Sequence, residues 1–149
     1  MDVKNKRVVV TGAASGIGKA LCEAFYQAGA QSLIAVDMNL DGAQETADSV
    51  NGIAIQANVG NEKDIINVIK KADEHVDGTD IFCSNAGIGG VPGFFEVEAS
   101  DWQNIWDVNV QSHIFAAKHV LPQMIERGEG YLVNTSSACL LYTSDAADE

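Results

Sequence analysis

Long apolar runs are missing from these 149 residues. None approaches the roughly 18 to 20 residues of a membrane span, so no membrane association is expected. Basic residues are scarce: nine Lys and Arg stand against 21 Asp and Glu, for a net charge of −12. Nucleic acids and anionic membranes are bound through clustered Lys and Arg, so neither is an expected partner. The acidic residues form no long run and read as a solvated surface. Three cysteines, Cys22, Cys83 and Cys139, are odd in number and lack metal-ligand spacing. They read as small core residues in a reducing compartment, with no metal site. The opening Met1–Arg7 leads straight into a strand pattern without a secretory signal, and a cytoplasmic protein is expected.

Glycine, by contrast, is plentiful, with 14 in the chain. The chain is organised around Thr11-Gly12-Ala13-Ala14-Ser15-Gly16-Ile17-Gly18. This stretch follows the β-branched run Val8-Val9-Val10 and runs into a helical pattern from Lys19 to Ala28. Gly12 and Gly16 permit a tight turn and close approach of a ligand to backbone. Ser15, Gly16 and Ile17 stand where a helix begins, with unpaired N–H groups and the positive dipole end facing outward. A diphosphate is the usual occupant of such a turn. Gly18 lets helix and strand pack closely. A P-loop is the neighbouring reading, but Ala20 follows Gly18-Lys19 where a Mg²⁺-binding hydroxyl should stand.

The length suits one domain. Strand and helix patterns alternate along it. Strands are predicted over Arg7–Val10, Ser32–Val36, Ile53–Ala57, Asp80–Ser84 and Tyr131–Thr135. The first helix, Gly16–Ala28, places Ile17, Leu21, Ala24, Phe25 and Ala28 on one face, with Gly29 at its end. Leu40–Val50 forms a polar helix at the sheet margin, closed by Asn51-Gly52. Asn61 caps the next helix, with Asp64 as an acidic first-turn partner and Ile65, Ile66, Val68 and Ile69 as its apolar side. The loop Ile88–Glu98 holds further glycines and Pro92. A long helix over Trp102–Glu126 should kink or break at Pro122. Five strands joined by helical crossovers imply a parallel, doubly wound α/β sheet. Ligands bind such sheets at the carboxyl ends of the strands. Polar residues or glycines stand at every strand exit: Gly12, Asp37, Asn58, Asn85, and Ser136 with Ser137.

Asp37 ends the second strand, 19 residues after Gly18. An acid there can accept hydrogen bonds from both ribose hydroxyls of an adenosine and would repel a 2′-phosphate. Neither Met38 nor Asn39 offers a cation to welcome that phosphate, which favours NAD over NADP. The plainer role for Asp37 is to cap the next turn. Asn58, followed by Val59, can meet an adenine edge with its amide. Asn85-Ala86-Gly87 can press backbone against a cofactor, with a positive φ at Gly87. A plain turn role remains open for each.

Thr11–Gly18, Asn85-Ala86-Gly87, Val108-Asn109-Val110 and Val133-Asn134-Thr135-Ser136-Ser137, in this order, resemble the short-chain dehydrogenase/reductase family. The resemblance covers Lys4–Ala138. It implies a Rossmann fold, a nicotinamide cofactor and reversible chemistry on a small alcohol or carbonyl substrate. By position it implies that Ser137 orients the substrate oxygen and that Asn109 holds a water in a proton relay. It further implies a homo-oligomer in the full-length protein, through the exposed side of the long helix with Phe115 and His119. The alternative is a Rossmann protein that senses NAD without turning it over.

The chain departs from the family in one respect. The family's general acid is the Tyr of a Tyr-x-x-x-Lys pair, whose phenol, near pKa ~10 when free, is lowered by the ammonium. No such pair occurs here: Tyr142 is followed four residues on by Ala146, and no Lys follows Lys118. The string Cys139–Glu149 reads as the translation of a sequencing-library adapter. The expected organisation is therefore a truncated NAD-binding domain over residues 1–138 and a non-native tail over 139–149. Such a chain, with about one of the fold's six strands missing, is expected to be poorly stable and inactive, its fifth strand an uncovered edge.

Overall fold

The computed structural model describes residues 2–89 and 95–137. Pro92, Tyr142 and the whole segment 139–149 lie outside the described residues. The elements alternate: β1 (Arg7–Thr11), α1 (Gly16–Gln27), β2 (Ser32–Asp37), α2 (Leu40–Ser49), β3 (Ile53–Gln56), α3 (Glu62–Val76) and β4 (Ile81–Ser84). Then come α4 (Ala99–Trp106), a π-helical turn (Asp107–Gln111), α5 (Ser112–Arg127) and β5 (Tyr131–Asn134). The five strands form one parallel sheet in the order β3-β2-β1-β4-β5. Crossovers from β1 run outward both ways, which is the doubly wound arrangement.

Strand alternation divides the core in two. Val8, Val10, Leu33, Ala35, Ile81 and Cys83 face one side, under Cys22 of α1 and Ala47 of α2. Val9, Ile34, Val36, Ile55 and Phe82 face the other, under Ile65 and Val68 of α3 and Val120 and Met124 of α5. Between their end residues the central strands β1, β2 and β4 are apolar, because both their faces are covered. Cys22 and Cys83 are buried free thiols, each pushed up to about 12 by desolvation. Such thiols stay protonated and behave as small apolar groups.

The helix ends follow their sequence signals. Gly29 (φ +83) closes α1 with Ala30 N–H returning to Phe25 O at 3.0 Å, a Schellman arrangement. Asn51 (φ 51) does the same for α2, with Gly52 N–H on Ala47 O at 2.8 Å. Asn61 caps α3, accepting from Lys63 N–H at 3.0 Å. Asp64 turns away from that cap and accepts from Asn58 N–H at 2.9 Å.

Other expectations are corrected. The buried side of α1 is Gly18 and Cys22, flanked by half-buried Leu21 and Phe25; Ile17, Ala24 and Ala28 are exposed. The inward stripe is one residue off because Gly18, lacking a side chain, is what meets the backbone at Gly12, just past β1. Ile66 of α3 is likewise exposed, and Ala72 completes the buried face instead. The long helix starts at Ala99, held by reciprocal Glu98 and Asp101 contacts, and its irregularity lies at Asp107–Gln111. It runs through Pro122. Phe115 packs against the core rather than outward. His119 Nε2 meets Glu62 Oε1 at 2.8 Å, as does Lys118 Nζ, joining α3 to α5. The outward face of α5 carries Ile114, Leu121 and Ile125. No helix among the described residues is long and apolar enough to cross a membrane.

Candidate cofactor site

The register brings the first two strand exits together. Thr11 stands opposite Val36, so Gly12 and Asp37 leave the sheet side by side. Gly12 takes φ +69 and Gly16 φ +53, the left-handed region that glycine enters at least cost. A Cβ on Gly12 would lie 2.8 Å from Ala86 Cα, and one on Gly18 would lie 1.9 Å from Gly12 O. The turn is thus wedged between β4's exit and its own helix, and only glycines fit. A Cβ at Gly16 would meet nothing within 4 Å: that side of the turn is open.

Ser15 precedes α1 in extended backbone and makes no side-chain cap, and the first turn of α1 holds no acid. By contrast α2, α3 and α4 each carry an acid in the first turn. The leading N–H groups of α1 therefore have neither a side-chain acceptor nor a local charge opposing an anion. Exposed Gly16 and Ile17 (66% exposed) flank this end.

Asp37 is both a turn cap and a tie to the glycine stretch. Its Oδ1 accepts from Asn39 N–H at 2.9 Å and its Oδ2 from Ala14 N–H at 3.0 Å. Each oxygen keeps a lone pair. A cavity of about 120 Å³ lies beside it, lined by Gly12, Asp37, Met38, Asn58, Val59 and Ala86, among others. Asn58 Oδ1 accepts from Gly60 N–H at 3.0 Å. Val59 is buried in the cavity wall.

Ala86 and Gly87 also line a wider cavity of about 620 Å³, with Ile17, Asn85, Asn109 and Ser137. The two cavities share that wall and form one crevice along the carboxyl edge of the sheet. Asn85 supports it from within. Its N–H donates to Thr11 Oγ1 at 3.0 Å and its Nδ2 to Thr11 O at 3.1 Å, while its Oδ1 accepts from Thr135 Oγ1 at 3.0 Å. Gly87 does not have the expected positive φ. A Cβ there would lie 3.4 Å from Asn109 Oδ1, an ordinary contact, so neither backbone angle nor space demands glycine at this position.

Asn109 lies in the π turn. Its Oδ1 accepts from Ile88 N–H and its Nδ2 donates to Ile88 O, both at 2.8 Å. Ser137 is exposed at the far wall. The sequence reading overlooked Thr11, whose hydroxyl donates to Cys83 O at 3.2 Å and accepts from Asn85 and Ala86. Its signal was present: a hydroxyl at the last position of a buried strand, immediately before the turn. Met38, Ile88 and Val108, which line the smaller cavity, carried no local signal.

Strand order, glycine turn and crevice together define a Rossmann-type α/β domain. The sequence profile described as short chain dehydrogenase matches residues 6–146, and the chain belongs to that family. It is 32% identical over 143 residues to a protein named glucose 1-dehydrogenase 2 of Bacillus subtilis, covering 91% of this chain and 55% of that one. It is 32% identical over 139 residues to the 3-oxoacyl-[acyl-carrier-protein] reductase of Vibrio cholerae, covering 92% and 57%. A crystal structure of a short-chain type dehydrogenase/reductase from Mycobacterium marinum superposes with TM-score 0.88 at 26% identity, over 97% of this chain and 60% of that one. The chain thus spans less than two thirds of each of these relatives.

Proposed function

We propose that this chain is the dinucleotide-binding portion of an oxidoreductase acting on a small alcohol or carbonyl compound, with NAD preferred over NADP. The observation that carries the reading is the shared cavity: the glycine turn and the Asp37 carboxylate face one open space at the same sheet edge. Packed side chains there, or placement at opposite edges, would have removed the basis for it.

In this reading Gly12, Ser15, Gly16, Ile17 and Gly18 receive the diphosphate at the helix N-terminus. The free lone pairs of Asp37 accept from the adenosine ribose. Asn58 and Val59 form the adenine end; with Gly60 N–H on its Oδ1, Asn58 keeps one Oδ1 lone pair and its NH₂ for the base. Asn85, Ala86 and Gly87 lay backbone along the middle of the crevice. The nicotinamide, when bound, supplies hydride transfer. Ser137 orients the substrate oxygen from the opposite wall. Asn109 retains one Oδ1 lone pair and one Nδ2 hydrogen for a relay water once Ile88 is satisfied. The relatives' names, a dehydrogenase and a reductase, support alcohol–carbonyl exchange as the reaction class.

The preference for NAD rests on charge. Asp37 would face a 2′-phosphate with a like charge, and neighbouring Met38 and Asn39 bring no cation. The 149 residues hold no Tyr-x-x-x-Lys pair, so this polypeptide is proposed to bind cofactor without turning it over. A soluble protein is proposed, and self-association of the whole protein along the Ile114, Leu121 and Ile125 face of α5. The test is titration of the chain with NADH and NADPH, followed by fluorescence, beside an assay for NADH formation from simple alcohols. Tighter binding of NADH without turnover is expected. Failure to bind either dinucleotide overturns the reading.

A further inference from the structure

The glycine turn is held by more than its own residues. Helix α2 lies against it from outside the crevice. Thr46, with no exposed surface, donates its Oγ1 hydrogen to Ala13 O at 2.8 Å. Ala13 N–H donates to Val36 O at 3.1 Å, and Ala14 N–H to Asp37 Oδ2 at 3.0 Å. Three consecutive polar groups of the turn are therefore tied to β2 and α2. The approach is close. A Cβ on Gly42, in the first turn of α2, would lie 2.8 Å from Ala14 Cβ and 3.2 Å from Ala14 O. Gly42 N–H is in turn fixed by Asn39 Oδ1 at 3.2 Å, and Asn39 N–H by Asp37 Oδ1 at 2.9 Å. The ties form a closed circuit: Thr46 to Ala13, Ala14 to Asp37, Asp37 to Asn39, and Asn39 back to α2.

We infer that Thr46 and Gly42 are positioning residues for dinucleotide binding, through which α2 locks the glycine turn and the Asp37 carboxylate into one rigid unit. Neither residue lines the crevice. Their effect is transmitted through Ala13 and Ala14. The physical basis is preorganisation: a turn already fixed in its binding geometry loses less freedom when a ligand arrives. Thr46 suits this because its hydroxyl is fully desolvated and cannot exchange Ala13 O for water. Gly42 suits it because any side chain would drive α2 away from Ala14. The inference rests on the dinucleotide reading above.

The experiment compares the full 149-residue chain with Thr46→Val, Thr46→Ser and Gly42→Ala, using NADH as the probe. Binding is measured by fluorescence titration, folding by circular dichroism and thermal midpoint, and turn rigidity by hydrogen exchange at the Ala14 amide without ligand. In T46V, a rise in Kd of about fivefold to tenfold is expected, with faster Ala14 exchange in a protein that is still folded. T46S should restore both, since it keeps the hydroxyl. G42A should reproduce the T46V phenotype with the Thr46 hydroxyl intact, and it decides the matter if T46V does not fold. An effect confined to the thermal midpoint, with Kd and Ala14 exchange unchanged, overturns the inference and leaves the cofactor reading standing. Absence of NADH binding in the unmodified chain overturns the reading, and the inference falls with it.

Discussion

Asn109 and Ile88 exchange two hydrogen bonds of 2.8 Å, the carboxamide of one meeting the peptide N–H and C=O of the other. The side chain thereby imitates the edge of a strand and pins the chain where it leaves Asn85-Ala86-Gly87. Replacing Asn109 with Ala removes both bonds. A loss of about 1–3 kcal/mol is expected, from two bonds of ordinary strength. Urea denaturation reads the loss, and faster hydrogen exchange at the Ile88 amide locates it.

Gly18 offers a sharper steric test. An added Cβ would lie 1.9 Å from Gly12 O and 2.9 Å from Asn85 Nδ2. Gly18→Ala should force α1 away from the turn and cost roughly 1–3 kcal/mol, as overpacking does. NADH binding should fall in the same variant. Gly16→Ala meets no such neighbour, and its cost should be limited to backbone strain near ~1 kcal/mol.

Asp37 controls cofactor choice in the proposed reading. Asp37→Ser removes the charge that opposes a 2′-phosphate and shortens the reach to the ribose. NADH affinity should fall by about ten- to a hundredfold, the value of one charge-assisted bond. NADPH affinity should fall less or rise, so the ratio of the two dissociation constants shifts toward NADPH. An unchanged ratio counts against the assignment of Asp37.

At the opposite edge of the sheet, Arg7 grips Asp80 with Nε on Oδ2 at 2.8 Å and Nη2 on Oδ1 at 2.6 Å. The guanidinium, aided by the Arg7 N–H, holds the Asp80 carboxyl below its ordinary value. A carboxylate depressed in the folded state stabilises fully above its unfolded pKa of about 4. That stability is lost as pH falls through the lower, folded value. Asp80→Asn leaves Arg7 only the exposed Asp77 carboxylate at 3.6 Å as counter-charge and should cost about 1–3 kcal/mol at neutral pH. The acid limb of the stability curve should flatten in this variant, read as denaturation midpoint against pH.

Much of the fold was legible because its signals are local. The apolar runs of β1 and β2 mark strands buried on both faces, and Gly29, Asn51 and Asn61 mark helix ends through their own backbone and side-chain chemistry. The rim was legible too, since a parallel sheet delivers every strand exit to one edge. The buried face of α1 was misread because periodicity cannot show that a glycine, rather than the larger Ile17, sits against the sheet. Pro122 does not break the long helix, which continues through it to Arg127; the departure from α-helical hydrogen bonding is elsewhere. It lies at Asp107–Gln111, where Asn109 binds Ile88.

By itself, the sequence determined the order of strands and helices, the glycine turn and the acid that follows the second strand. Each depends on residues close together in the chain, where sterics and hydrogen bonding act without help from elsewhere. Tertiary structure alone decided that Thr46 would meet Ala13, that Asn109 would hold Ile88 and that Arg7 would clasp Asp80. Those partners lie far apart in sequence, and a polar group carries no mark of which distant partner it will face. Packing sets that choice, once two apolar layers close on the sheet and each buried donor or acceptor must find a mate within reach.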